Sequence, residues 1–440
     1  MRDDRKVNKR TKAKPGVSPD YLRLPCRCEP DSGLPTPPHD NHTCFAASVI
    51  PEDYTDDLHI AGLVNVDSKD LAVRSGEVAA LRLFDIAYTI DLTQAESLWA
   101  MRESGKVSRA QLTSTPPKAL NFGVAPLQLA LGSTLLTLGN REVTAELSVR
   151  LYDFGVAALA ARVTVADLTW DAFVADFDAL DRAVGPKSSI TFWTNLLARV
   201  CEVILPALDR PAVDAALDED YLIGTVHAFS EPLDAAELRN RVDLAALLSG
   251  EKRALSAASN RELLARSFSY YADDMVVLTW DRAFIYEPRR DTDVADVIEV
   301  ANAQLVEFRY YDTLLDDELP RMYDRVENAH GAMSLLASRR FAHLARRLYT
   351  LVAEVTELTE RVDNALQVTE DVYLARVYSA ALGLFRVPAL GESVDRKLSI
   401  IRDTYAALYE EASSRRTEML EISVVLLIML EIVLMVFRRG

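Results

Sequence analysis

The stretch KLSIIRDTYAALYEEASSRRTEMLEISVVLLIMLEIVLMVF (397–437) decides how the rest of the chain is read. Val394, Leu398, Ile401, Tyr405, Leu408 and Ala412 set an apolar seam in alternating steps of three and four, the spacing of a coiled-coil helix. The register passes Arg415 and continues through Met419, Ile422, Leu426 and Met429, which predicts one helix of about 44 residues. Within 422–437, 14 side chains are strongly apolar and Glu431 is the one charge. Residues 419–437 would span roughly 28 Å as a helix, against a hydrocarbon core of about 30 Å. Insertion of the apolar side chains is worth roughly −6 kcal/mol and a carboxylate at mid-depth costs about +3. The balance predicts a transmembrane helix, with Glu421, Glu431, Arg438 and Arg439 as the polar residues of the anchor. A buried core helix or an oligomerisation helix is the alternative.

Upstream, 291–418 is helical by pattern. Val294, Ile298, Ala301, Leu305 and Phe308 form one stripe; Leu315, Leu319, Met322 and Val326 resume it, with Pro320 as a kink or break. Phe341, Leu344, Leu348, Leu351, Val355, Leu358 and Val362 form a heptad seam, and a turn is expected near Pro388 and Gly391. A register that persists from this coil into the apolar end suggests helices that associate between copies. Glu431 falls off the seam, where a neighbouring helix would give its carboxylate a second interface. Packing of 341–362 on 398–412 within one chain is the competing arrangement.

Residues 44–290 read as an α/β head. Strands are expected in 78–90 (VAALRLFDIAYTI), 144–165, 221–229 and 275–286, and helices in 168–180, 190–208 and 234–248. LTWDAF (168–173) and LTWDRAF (278–284) echo one another, which raises a diverged repeat on thin grounds. Residues 1–43 are rich in proline and basic at the start, through Arg2, Arg5, Lys6, Lys9, Arg10, Lys12 and Lys14, with no apolar stretch behind them. A secretory signal is therefore not expected, and the segment reads as a disordered tail.

The chain of 440 residues carries 66 Asp+Glu against 49 Lys+Arg, a net charge of −17, so general binding to nucleic-acid phosphates is not expected. Its four cysteines, three of them at 26, 28 and 44, suit a reducing compartment and exclude a disulfide scaffold. Cys26, Cys28, His39, His42 and Cys44 have the right chemistry for zinc. Their CxC spacing and proline-rich setting argue for incidental residues in a tail, and no cofactor is expected. Cys201, among Leu197, Val200 and Val203, reads as a small buried hydrophobe. GPKSS (185–189) resembles the end of a phosphate loop, but Leu180 stands where the first glycine is required. Acidic groups recur at Asp176/Asp178/Asp181, Asp273/Asp274 and Asp312/Asp316/Asp317/Glu318. A divalent-metal-dependent hydrolase or nuclease built on Asp312, Asp316 and Asp317 is the rival class, although no further ligand completes its sphere.

FRYYDTLLDDEL (308–319), the coiled helix after it, and the Arg415-Arg416-x-Glu418-x-x-Glu421 approach to a Glu431-containing end resemble the "required for meiotic nuclear division" family. Tyr310, Tyr311 and Asp312 belong to the same pattern, and the resemblance covers roughly 265–437. In that family a domain of undetermined function precedes a C-terminal membrane helix. Eukaryotic members are mitochondrial inner-membrane homo-oligomers that support translation, which implies tethering of ribosomes and carries over no catalytic residue. The Ala/Arg-rich composition suits a bacterial member.

Together these readings predict an α+β protein: an α/β head, a long helical coiled-coil stalk and one C-terminal transmembrane helix. It would be a tail-anchored, non-enzymatic homo-oligomeric scaffold. The bulk of the chain would lie on the cytoplasmic face of a bacterial inner membrane, or on the matrix side of the mitochondrial one in a eukaryote. Its partners would be lipid, further copies of itself, and ribosome or RNA through residues 2–14.

Overall fold

The run that reads VAALRLFD (78–85) is apolar on both of its faces, which fits only a strand with a layer packed on each side. The computed structural model places it there. It describes residues 71–102, 107–109, 120–185, 191–211, 217–251, 253–290, 292–330, 335–368 and 371–439. In chain order the strands are β1 (Ala72–Asp85), β2 (Ala87–Ile90), β3 (Val107–Arg109), β4 (Leu120–Phe122), β5 (Leu127–Leu138), β6 (Arg141–Leu151), β7 (Val156–Val165), β8 (Leu168–Thr169), β9 (Leu208–Pro211), β10 (Asp218–Phe229), β11 (Ser267–Phe268), β12 (Met275–Leu278), β13 (Arg282–Tyr286) and β14 (Leu366–Val368). The helices are α1 (Leu92–Arg102), α2 (Trp170–Val184), α3 (Thr191–Ile204), α4 (Ala235–Arg241), α5 (Leu244–Ser249), α6 (Ala257–Leu263), α7 (Asp293–His330), α8 (Leu335–Asp363), α9 (Val372–Leu384) and α10 (Val387–Arg439).

One mixed sheet runs β11-β12-β13-β10-β1-β7-β6-β5-β3, with β8 on β1. Among the described residues only β10 and β13 pair in parallel; the other neighbours are antiparallel. Alternation along each strand divides the core. Val78, Ala80 and Phe84 of β1, with Leu159 and Ala161 of β7, face the layer of α1–α6. Ala79, Leu81 and Leu83, with Ala158 and Ala160, face the layer of α7–α10. The result is a three-layer sandwich, helices–sheet–helices. Small side chains on both sides, Ala158 and Ala160 in β7 and Ala301 and Ala303 in α7, let that helix lie close to the sheet.

Polar residues tie the layers at a few points. Arg150 of β6 reaches Asp296 (2.9 Å) and Glu299 (3.4 Å) of α7. The Tyr152 hydroxyl donates to Glu299 at 3.0 Å. On the opposite face Arg282 of β13 donates to Asp178 (3.1 Å) and Asp181 (2.7 Å) of α2 and to the Leu247 carbonyl (3.0 Å).

The sequence expectation of a stalk is corrected here. The seam residues Leu344, Leu348, Val355, Leu358 and Val362 of α8, and Val394, Leu398, Ile401 and Leu408 of α10, are buried in the second core with α7 and the sheet. Gln304 of α7 donates to Val362 at 2.7 Å and Glu318 lies 3.9 Å from Arg347, so α7 and α8 are antiparallel. Asp312 meets Lys397, and a methyl added at Gly391 would lie 3.6 Å from Phe308, so α10 runs parallel to α7. The heptad stripe is thus satisfied within one chain. Helix α7 continues through Pro320 without a break, and α10 begins at Val387 and carries Pro388 in its first turn, where a missing N–H costs nothing.

The transmembrane expectation is corrected as well. Among the described residues, no helix is long and apolar enough to cross a membrane. The membrane, tail-anchor and inner-membrane readings fall with it.

Candidate functional site

Asp85 ends β1, and the chain turns sharply into β2. The turn is held by the Tyr152–Val156 corner: Ile86 N–H donates to Gly155 at 3.0 Å, and Ile90 N–H to Asp153 at 3.0 Å. Gly155 has φ +100°, and a Cβ there would stand 1.9 Å from the Ala87 carbonyl oxygen, so only glycine fits. Strand β2 then pairs with β9 in a separate two-stranded ribbon. The ribbon leaves a gap against α7 and α8, a cavity of about 590 Å³.

Its walls are amphipathic. Leu314, Leu348, Leu351 and Val355 supply apolar surface, and Tyr88, Tyr310 and Tyr311 supply rings. The guanidinium of Arg210 lies over the Tyr88 ring, 3.6 Å from its centroid, and pairs with Glu354 at 3.2 Å. Glu318 and Arg347 lie at the cavity on the far side of Tyr311 in sequence. Tyr310 and Tyr311 meet edge to face, 5.4 Å between centroids.

One buried carboxyl, Asp85, lines the cavity, and a second, Glu307, is buried against the lining residue Tyr311. Asp85 is 6% exposed; burial pushes its pKa up to about 7, and the Ala87 backbone N–H works against that rise. Glu307, 1% exposed on α7, accepts a hydrogen bond from the Tyr311 hydroxyl, while its Oε2 has no hydrogen-bond partner among the described residues. Burial raises the Glu307 carboxyl well above the usual carboxylate range, and the charge of Asp85 raises it further. The same two carboxyls, behind a larger burial effect, raise the phenols of Tyr310 and Tyr311. Proton donors and acceptors of unlike strength are therefore grouped around one cavity, the arrangement from which acid–base and binding sites are made.

Of the motif and acidic-cluster residues singled out in the sequence, Tyr310, Tyr311 and Glu318 line this cavity, and Asp312 does not. Asp312 and Asp316 both hold the Lys397 ammonium, at 2.7 and 2.6 Å, and Asp317 lies 3.7 Å from Arg321. An ammonium thus sits where the rival hydrolase reading would put a metal. Among the described residues no group of three or more His, Cys, Asp or Glu could hold a metal ion. Asp176, Asp178 and Asp181 pair with Arg141 and Arg282, and Asp274 accepts the backbone N–H groups of Tyr270 (2.7 Å) and Tyr271 (3.0 Å). Burial pushes the Cys201 thiol up to about 11, which suits packing rather than nucleophilic attack. Segment 168–173 enters a helix whereas 278–284 forms a hairpin.

Glu421, Glu431 and Arg438 are exposed on α10; Arg415, Arg416, Glu418 and Arg439 lie on the same helix with side chains outside the described set. Cys26, Cys28, His39, His42 and Cys44 lie outside the described residues, as do residues 2–14. Beyond the buried segment, α10 carries large apolar side chains open to solvent on every side, among them Leu420 (67% exposed), Leu426 (63%) and Met435 (61%). Sequence reasoning missed Asp85, Glu307, Tyr88 and Arg210. The available signal was a lone acid in VAALRLFDIAYTI (78–90), and a glutamate one turn before Tyr311 on the buried stripe of α7.

Comparison with known proteins places part of this structure among relatives. A family model described as the N-terminal domain of uncharacterized protein MJ0711 matches residues 75–292. Uncharacterized protein MJ0711 of Methanocaldococcus jannaschii is 24% identical over 217 residues, 49% of this chain. The match spans 65% of that relative's length. No solved structure matches. The matched segment holds Asp85, Tyr88 and Arg210 and ends before α7, so the half of the cavity built by Tyr310, Tyr311 and α8 lies outside it.

Proposed function

We propose that this protein is a self-assembling scaffold: a three-layer body that presents the distal part of α10 as the element through which copies join. The observation that carries this reading is the contrast along one helix. From Val394 to Leu408 its seam is buried in the chain's own core; among the described residues from Leu420 onward its apolar side chains are exposed. Burying a Leu, Ile or Val from water is worth about 1.5–3 kcal/mol, so several such residues outweigh the cost of bringing helices together. An apolar surface that surrounds the helix favours a bundle of more than two copies, since one partner covers a single face.

The resemblance of 308–319 and 397–437 to the "required for meiotic nuclear division" family, whose eukaryotic members are large homo-oligomers, supports the same reading. Joined copies would multiply whatever each body holds, with residues 2–14 as the segment to touch RNA or a ribosome. Light scattering of the full chain in detergent-free buffer tests the proposal. The expected mass is several chains, falling to one chain in a Leu426→Asp/Val433→Asp variant. A full chain that runs at the mass of one copy overturns it, as does a single copy that binds lipid vesicles.

A further inference from the structure

We propose that the cavity between the β2–β9 ribbon and helices α7 and α8 binds a small organic cation, a protonated amine anchored on Asp85. The inference is independent of the scaffold reading, which rests on the far end of α10. The cavity, about 590 Å³, is of the size that takes a small molecule. Its charge has a sign. Asp85 lines the cavity, Glu307 is buried against the Tyr311 hydroxyl beside it, and no cationic side chain among the described residues pairs with either. The two arginines at the walls are engaged elsewhere: Arg210 on Glu354 and the Tyr88 ring, Arg347 beside Glu318. Buried carboxyls are ordinarily matched by a cation, and here the position left for one is the cavity itself. Tyr88, Tyr310 and Tyr311 add ring surface, which attracts an alkylammonium by its quadrupole.

An anion would meet the Asp85 carboxyl and two arginines that already face carboxylates. A neutral guest would leave Asp85 and Glu307 as they are. An ammonium instead favours the carboxylate form of Asp85, so its binding releases the Asp85 proton to solvent: R-NH3+ plus the acid gives the ion pair plus H+. The groups that bear on this step are Glu307, Tyr310, Tyr311 and Glu318 of α7, Tyr88 of β2, Arg210 of β9, and Arg347 and Glu354 of α8. None of them is a cation free to replace the guest.

Calorimetry on the full chain with butylamine, 1,4-diaminobutane and choline, against 1,4-butanediol and succinate, tests the assignment. At least one of the three cations should bind more than tenfold tighter than the diol and succinate. Its affinity should fall about tenfold per unit as pH drops below 7, with proton release measured in two buffers of different ionisation enthalpy. Asp85→Asn should weaken it more than tenfold while a urea transition confirms a folded chain. Leu351→Trp, which fills the apolar wall and leaves the carboxyls in place, should weaken it as well. Failure of all three cations, equal binding of diol or succinate, or retained affinity in D85N overturns the proposal.

Discussion

Replacing Asp85 with Asn tests the electrostatics of the cavity floor without disturbing its shape. The carboxyl is 6% exposed and its pKa is pushed up to about 7, against about 3.9 in an unfolded chain. At 1.36 kcal/mol per unit, the gap corresponds to about 4 kcal/mol. The sign follows from proton counting. Below about pH 4 both states hold the proton and the carboxyl has no effect on stability. Between about pH 4 and 7 the unfolded chain releases it while the folded chain keeps it, so stability falls as pH rises. Above pH 7 the full penalty is in place. Asn keeps the acceptor for the Ala87 N–H and does not titrate. Urea unfolding of the wild type and D85N should therefore give similar stability at pH 4 and an advantage of about 4 kcal/mol for D85N at pH 8. In D85N the Asp85 charge no longer raises the Glu307 carboxyl, which shifts the comparison at pH 8 in the same direction. A gap that is the same at both pH values, or a wild type more stable at pH 8, would refute the reasoning.

Arg150→Met strips the counter-charge from Asp296 and Glu299 between sheet and α7, and should cost about 3–5 kcal/mol in urea unfolding at pH 7. Substituting Met together with Asp296→Leu and Glu299→Met should recover part of that loss, because no buried carboxylate is then orphaned although the Tyr152 hydroxyl loses its acceptor. Gly155→Ala forces a Cβ onto the Ala87 carbonyl oxygen at a residue with φ +100°, and should cost about 2 kcal/mol or more, read as a lower urea midpoint.

How much of this was legible depended on what each segment touches. Strands in 78–90, 144–165, 221–229 and 275–286 could be read because layers on both sides demand continuous apolar runs. Strand β5 was not read: its outer half is open to solvent, with Leu135 66% exposed beside Gly132, Ser133 and Thr134. The heptad seams of α8 and α10 announced a partner without saying whose. The structure places that partner in the same chain, which turned an expected stalk into the third layer of the sandwich. The apolar end at 422–437 was read as a membrane span, and no described helix meets that requirement. Tyr310 and Tyr311 entered through a resemblance and do reach the cavity, whereas Asp85 stood in plain sight inside a strand. A single acid within a doubly buried run is costly to bury, and that cost was the unread sign of a site.

The scaffold reading is tested most directly by a distance between copies. A full chain with its native cysteines replaced by serine and one nitroxide at position 433, measured by pulsed dipolar spectroscopy in detergent-free buffer, reports whether distal α10 segments meet. Helices packed at about 8–10 Å between axes should give a narrow inter-label distance on the order of 20 Å, retained when the label is moved to position 420. The coupling should vanish on tenfold dilution with unlabelled chain. A signal that decays without inter-copy coupling at either position contradicts the account.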